Sequence, residues 1–309
     1  MTFPIQLVSE GHRVPFSKGL LATSLTATGL PRERAFIVAV DVEDRLNRLP
    51  EREIDLDQLR ILVEEVLGEN EEQRYLRRYR TWNRLAGEDK PVVVLIGGAT
   101  GVGKSTIAAQ LADRLGVVRI ISTDSVREVM RAFFSESLMP QIHHSSYEAG
   151  AGVRIPLGDG FDPGMVGFME QVDAVNVGVL ALLDRAVKER TSLIVEGVHM
   201  VPGMLASAGA KERMADVLML QLVVAVEDPN LHRSHFLVRE QQTAGRRAIA
   251  RYLRSFDEIR KIQGFILDRA RAEGTLVVNN LNIDDTLGVV VDALYGVIEE
   301  SEEETDAGE

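Results

Sequence analysis

Gly98-Ala99-Thr100-Gly101-Val102-Gly103-Lys104-Ser105 is the stretch whose residue types and spacing commit this sequence to a chemistry. It fits Gly-x4-Gly-Lys-Ser/Thr and lies between an apolar β-branched run, Val92–Gly97, and an amphipathic helical pattern over 103–115. Glycines let the backbone wrap closely round phosphates with its amides turned inward. The helix N-terminus adds partial positive charge. Lys104 suits a bridge between β- and γ-phosphates, the Ser105 hydroxyl a ligand position on Mg²⁺, and Thr106 is the next residue of the cradle. An ordinary glycine turn between strand and helix does not account for the full motif in its full context. A nucleoside triphosphate, ATP or GTP, with Mg²⁺ is implied; the fate of the γ-phosphate is not.

Asp124 directly follows the second predicted strand, 117–122, within Ser122-Thr123-Asp124-Ser125-Val126-Arg127. Ligands of parallel sheets gather at the carboxyl ends of the strands. A carboxylate there can orient an acceptor hydroxyl or take its proton. Ser122, Thr123 and Asp124 are also good helix caps, which is the competing reading. Arg127, three residues on along the same helix face, can hold an acidic substrate group; a surface ion pair competes. Glu196 ends the third predicted strand in Leu193-Ile194-Val195-Glu196-Gly197-Val198-His199 and can hold a metal-bound water, against a plain loop cap. Ser105 and Glu196 are thus the metal candidates, and His199 a further substrate-binding candidate. His143 and His144 stand too close together to make a metal site alone.

Residues 232–271 contain ten basic and four acidic side chains, a local balance of +6. Phosphoryl transfer needs cations on the transferring group, often from a segment that closes over the site. Gln241-Gln242-Thr243-Ala244-Gly245 offers a hinge, and Arg239, Arg246 and Arg247 flank it as candidate lid residues. Arg260, Arg269 and Arg271 read as a solvated face.

The elements that must position these groups alternate. From Pro91, predicted strands at 92–97, 117–122, 192–196, 217–226 and 276–279 are separated by helical crossovers, which makes a parallel α/β sheet of five strands. Residues 136–162 lack periodicity, and a long irregular segment inside a compact domain is usually functional. Before Pro91, helical spacing recurs in Ala35, Val38, Val42 and Leu46 and again in Leu59, Leu62, Val63 and Val66, with Gly68 as a stop and a third helix over 69–86. The chain therefore divides into a small mainly helical domain, 1–87, an α/β domain, 91–298, and an acidic tail, 299–309, expected to be disordered. That tail holds seven of the acidic residues behind the net charge of −12, leaving −5 for the rest of the 309 residues. The acidic total argues against nucleic acid as a partner. Forty-five per cent hydrophobic residues suffice for a core. Without cysteine, disulfides, thiolate metal sites and Cys nucleophiles are excluded. With no signal-peptide pattern and no long apolar run, no membrane is expected and the cytoplasm is the expected compartment.

Among users of a phosphate loop, switch GTPases need Asn-Lys-x-Asp, which Asn279-Asn280-Leu281-Asn282 does not supply. A motor ATPase would show an apolar strand ending in acidic residues, and Glu227-Asp228-Pro229 fits superficially. The short core, the place of Asp124 and the arginine-rich segment favour a small-molecule kinase.

Gly97–Thr106, Ser122–Arg131, Ser145-Ser146-Tyr147-Glu148-Ala149, Glu196-Gly197-Val198-His199 and His232–Arg239 together resemble the 2-phosphoglycerate kinase family over 91–298. The resemblance implies a P-loop core of nucleoside-monophosphate-kinase type. It also implies ATP-dependent phosphorylation of 2-phosphoglycerate to 2,3-bisphosphoglycerate. By position it makes 143–162 an acceptor segment, with Ser145, Ser146 and Tyr147 offering hydroxyls. Another hydroxylated acceptor, a glycerate derivative or a polyol such as inositol, is the nearest alternative. Residues 1–87 resemble an ATP-cone through Val14-Pro15-Phe16, Ser24-Leu25, the helix 35–46 and Tyr75–Arg80. The usual Lys-Arg-x-Gly lead-in is here Ser9-Glu10-Gly11-His12, without the basic pair. A structural or homo-oligomerisation role for this module therefore stands beside nucleotide sensing, and a nucleotide-dependent regulatory protein is the reading of another class.

Overall fold

The computed structural model describes residues 5–9, 12–87, 90–154, 158, 160–205, 217–242 and 249–306. The chain forms two compact units, the first made chiefly of residues 1–89 and the second chiefly of the residues from 90 onward. The first unit holds β1 (Gln6–Ser9), β2 (His12–Pro15), α1 (Lys18–Thr26), α2 (Arg32–Arg48), β3 (Glu53–Asp55), α3 (Leu56–Asn70) and α4 (Gln73–Gly87). Ala35, Val38, Val42 and Leu46 are all at most 1% exposed, so the helical spacing does mark the core face of α2. Asp55 starts α3 with a reciprocal capping box: its carboxylate accepts from Gln58 N at 2.7 Å and its own N–H donates to Gln58 Oε1 at 3.0 Å. The module is mainly helical, as expected, and also contains a three-stranded sheet of order β2-β1-β3, its β1–β3 pair parallel. One expectation is corrected. Gly68 does not end α3, which runs to Asn70; one glycine costs less than the packing of Val63, Val66 and Leu67 returns.

The second unit continues with β4 (Val92–Gly97), α5 (Lys104–Leu115), β5 (Ile120–Ser122), α6 (Thr123–Phe133) and two 3-10 turns, Pro140–His143 and Ser146–Gly152. It then runs through α7 (Pro163–Lys188), β6 (Leu193–Glu196), β7 (Leu218–Ala225), α8 (Pro229–Gln242), α9 (Ile249–Arg254), α10 (Phe256–Glu273), β8 (Leu276–Asn279) and α11 (Ile283–Asp306). The five strands pair in parallel in the order β5-β6-β4-β7-β8. Every residue of β4 and β6 is buried, as strands covered by helices on both faces must be. Order reverses at β4, and the register sets Glu196 level with both Ile96 and Ser122. One sheet edge thus collects the loop after β4, the N-terminus of α6 and the tip of β6, the crevice where open α/β sheets bind ligands.

α7 is apolar over 26 residues, long enough by composition to span a membrane, yet Phe168, Val172, Val175, Val179 and Leu183 are fully buried in the core. Glu299–Asp306, expected as disordered tail, continue α11. Leu287, Val290, Val291, Leu294, Tyr295 and Ile298 bury one continuous stripe, and Lys90 Nζ donates to Ser301 Oγ at 3.0 Å. Extending a helix already nucleated by that burial is inexpensive, and glutamate is a good helix former.

Candidate active site

The phosphate loop is held from outside by side chains that arrive from far along the chain. Asn280 Nδ2 donates to Val102 O at 2.9 Å, His232 Nε2 to Thr100 O at 2.8 Å and His235 Nδ1 to Gly101 O at 3.0 Å. A trans peptide sets its N–H opposite its C=O. Three consecutive carbonyls fixed outward therefore turn the amides of Gly101, Val102 and Gly103 into the loop, where phosphate oxygens need donors. Asn280 is itself fixed: its N–H donates to Ala225 O at 2.8 Å and its Oδ1 accepts from Thr286 Oγ1 at 3.1 Å. Gly103, with φ at +96°, passes so near that a Cβ there would sit 2.5 Å from Asn280 Nδ2. Burial lowers the pKa of His232 to about 4, so it is a neutral donor at physiological pH.

Lys104 opens α5, 8% exposed, and donates to Ala99 O at 2.8 Å across the loop. Ser105 Oγ donates to Glu196 Oε1 at 2.9 Å, and Glu196 is 6% exposed. The hydroxyl and carboxylate singled out as metal candidates thus meet. Hard oxygen donors in small number suit Mg²⁺, which keeps waters and takes its remaining ligands from phosphates. The acidic pair of the motor-ATPase alternative goes elsewhere: Asp228 caps α8, accepting from Asn230 N at 2.8 Å.

Lys104 and Ser105 lie between two cavities. One, of about 560 Å³, runs from Gly103 past Thr106 and His235 to Asn280–Ile283. The other, of about 690 Å³, is lined by Lys104, Asp124, Arg127, Glu196, Arg251 and the run Ser145–Tyr147. Ser122, not Asp124, caps α6, its Oγ accepting from Ser125 N at 3.1 Å. The Asp124 side chain, 70% exposed, is left for the cavity, with Arg127 Nε at 3.4 Å. Arg127 is 8% exposed and also donates to Ile142 O and Glu128 Oε1, both at 2.8 Å, so it ties α6 to the first 3-10 turn as well as lining the cavity.

Arg251, on α9, is the cavity cation that sequence reasoning missed. It donates to both carboxylate oxygens of Glu148, Nε to Oε1 at 3.1 Å, and from Nη2 to Ser145 Oγ at 3.2 Å. That pairing holds the Glu148 carboxyl below the usual range. Tyr147 packs edge-on against Tyr252 at 5.9 Å, Tyr252 stacks on Phe236 at 5.0 Å and Phe236 on His232 at 5.5 Å. An aromatic row therefore runs from the Ser145–Tyr147 run to the phosphate loop. Only the +6 balance hinted at Arg251; His232 and His235 fell within the family-like stretch 232–239 without a role assigned, and nothing local marked Asn280.

Two further expectations concern His199 and the lid. His199 is fully buried with both ring nitrogens engaged by protein atoms, so it is not a substrate ligand. Among the lid candidates, Arg239 lies on the backbone of α8, while Arg246 and Arg247 fall outside the described residues, as do residues 243–245 of the expected hinge.

A five-stranded parallel sheet of this order, with a phosphate loop after its central strand and a second cavity beside the loop lysine, defines a P-loop kinase. Family models agree: the ATP cone domain matches residues 8–88 and the Zeta toxin family residues 77–149. Proteins named 2-phosphoglycerate kinase match nearly end to end. The one from Methanopyrus kandleri is 36% identical over 97% of this chain and 90% of its own. The one from Methanothermobacter thermautotrophicus is 37% identical over 94% and 93%, and that of Pyrococcus horikoshii 32% over 93% of each. The chain belongs to the 2-phosphoglycerate kinase family.

Proposed function

We propose that the protein transfers the γ-phosphoryl group of ATP to the free hydroxyl of 2-phosphoglycerate, giving 2,3-bisphosphoglycerate and ADP in the cytoplasm. The observation that carries this is the single cavity shared by Lys104, Ser105, Asp124 and Glu196 on one side and Arg127, Arg251 and Ser145–Tyr147 on the other. The division of labour is a kinase domain over 91–298 and an ATP-cone module over 1–87.

In this reading the phosphate-loop amides and Lys104 hold the triphosphate, with its base in the cavity bounded by Asn280–Ile283. Ser105 and Glu196 would hold Mg²⁺, which when bound would supply positive charge against the nucleotide phosphates. Arg127, Arg251, Ser145, Ser146 and Tyr147 grip the acceptor's carboxylate and phosphate. Asp124 orients the acceptor's hydroxyl and accepts its proton. The hydroxyl oxygen forms a bond to the γ-phosphorus as the bond from that phosphorus to the bridging oxygen of ADP breaks. Lys104, with Arg239, Arg246 and Arg247 of the closing segment, stabilises the charge that spreads over the transferring group.

Purified protein with ATP and Mg²⁺ should release ADP in step with a phosphorylated product when given 2-phosphoglycerate, followed by ³¹P NMR. Turnover on inositol or glycerate with none on 2-phosphoglycerate would overturn the acceptor. Nucleotide binding without turnover on any of them would overturn the enzyme.

A further inference from the structure

His199 and Gln171 are buried, fully enclosed, and have no part in the transfer described above. Their hydrogen bonds can nevertheless be ordered atom by atom. Gln171 Nε2 faces two backbone carbonyls, Gln141 O and, at 3.1 Å, His144 O. Carbonyls only accept, so the amide nitrogen must point at them and Oε1 must point away. Oε1 lies 3.0 Å from His199 Nε2, which must therefore carry the proton. Nδ1 is then an acceptor, and Thr123 Oγ1, 2.7 Å away, donates to it. Every donor in the series finds an acceptor, in one direction only.

The ends of this series are functional parts. Thr123 precedes Asp124 at the start of α6. His199 lies in the turn after Glu196, and that turn passes so close that a Cβ on Gly197 would fall 1.8 Å from Thr123 Oγ1. Gln141 and His144 bracket the approach to Ser145, Ser146 and Tyr147. The side-chain bonds that hold the 3-10 turns there are Arg127 to Ile142 O, Gln171 to the two carbonyls, His143 Nε2 to Phe134 O and Arg251 to Ser145 and Glu148; those of Gln171 are the ones that reach back to His199. α7 lies hard against the same segment, since a Cβ on Gly167 would sit 2.3 Å from Ala149 O.

We propose that His199 is a positioning residue which, through Gln171, locks residues 141–147 to the helix that carries Asp124, so that the acceptor-binding hydroxyls and the acceptor-orienting carboxylate keep one geometry. The proposal rests on reading the larger cavity as the acceptor site. It separates two binding events: the loop that holds nucleotide is anchored by Asn280, His232 and His235, none of which belongs to the series.

The test uses the full chain as wild type, Gln171→Leu and His199→Gln. The leucine removes both donors to the segment. The glutamine keeps a donor toward Gln171 and loses the acceptor for Thr123. Hydrogen exchange is followed in peptides covering 141–153 and 98–107, with ATP affinity by calorimetry and KM for 2-phosphoglycerate. In Gln171→Leu, exchange over 141–153 should rise about tenfold or more, with 98–107 unchanged, since each lost bond of about 1.4 kcal/mol is a factor of ten in a local opening equilibrium. KM for the acceptor should rise about tenfold in both variants while ATP affinity stays within about twofold. Unchanged exchange over 141–153, or equal loosening of both peptides, would overturn the proposal. If Gln171→Leu does not fold, His199→Gln decides through the split between acceptor KM and ATP affinity: an unchanged KM would overturn the proposal. A wild type inactive on 2-phosphoglycerate defeats the functional reading alone, because the exchange pattern still decides the lock.

Discussion

Asn280→Ala tests whether the phosphate loop is shaped from outside. The side chain is 4% exposed and makes two hydrogen bonds, to Val102 O and from Thr286 Oγ1. Truncation leaves a buried carbonyl and a buried hydroxyl unsatisfied, each worth about 1–3 kcal/mol, so a loss of about 2–6 kcal/mol in stability is expected. At about 2–4 °C per kcal/mol for a domain of this size, Tm should fall by roughly 4–24 °C. ATP affinity should fall about tenfold, because the Val102–Gly103 peptide loses the bond that turns its N–H inward. Asn280→Asp separates this from simple cavity formation. It keeps the volume and the Thr286 bond but sets a carboxylate against Val102 O and beside the incoming phosphates. Calorimetric titration with a non-hydrolysable ATP analogue should find it weaker than Asn280→Ala. Equal or tighter binding by the aspartate variant would refute the argument that this amide acts as a donor shaping the loop.

Three further outcomes are expected. Lys104→Ala should abolish ADP release while circular dichroism keeps the wild-type signature of the fold, since the lysine lies on the phosphate loop, where it donates to Ala99 O, and outside the apolar core; full activity would remove it from transfer. Asp124→Asn should lower kcat by about 10²–10⁴-fold with ATP affinity unchanged; a fall in ATP affinity alone would sink the acceptor assignment. His199 and His232, both lowered to about 4 by burial against an ordinary 6.5, make stability depend on acidity. Above about pH 6.5 both are neutral folded or unfolded. Between there and about pH 4 the unfolded chain binds protons that the folded chain refuses, so stability falls as pH falls, by up to about tenfold in the folding constant per unit for each histidine. Urea unfolding at several pH values should show a shallower fall in His232→Gln, and an unchanged slope would contradict the burial argument.

The parts of the site written locally were legible. Gly98–Ser105 carries its loop in eight consecutive residues, and β4 and α5 fall where the motif requires. Asp124 and Glu196 were legible because both sit at strand ends of a parallel sheet, and the register brings those ends level. What could not be read was pairing over distance. Asn280 reaches a carbonyl 178 positions earlier and His232 one 132 positions earlier, and no spacing rule encodes either. His199 was misread for a related reason: a histidine beside a strand-end glutamate looks available until the fold buries it against Thr123 and Gln171. The small sheet of the first unit was missed because its strands are only three or four residues long.

The basic segment shows why a local charge count overstates a site. Arg260 donates to Val226 O and Glu227 O, Arg269 to Pro202 O and Glu273, Lys261 to Asp162 and Glu258, and Arg271 to Asp268. These cations brace α10 and its surroundings. Arg233 lies over the Phe256 ring at 4.2 Å. Among the described residues of that segment, Arg251 is the cation lining the larger cavity. A cavity that takes a multiply charged anion, as proposed for this one, must also hold its cations when empty, since gathered cations repel one another and buried ones lose hydration. Each cation here rests on a protein acceptor instead: Lys104 on Ala99 O, Arg127 on Ile142 O and Glu128, Arg251 on Glu148 and Ser145. In the proposed reading an arriving anion must outcompete those acceptors, for which a phosphate or carboxylate is better equipped than a neutral polyol. Selection for an anionic acceptor therefore resides as much in how the empty site satisfies its cations as in how many it has.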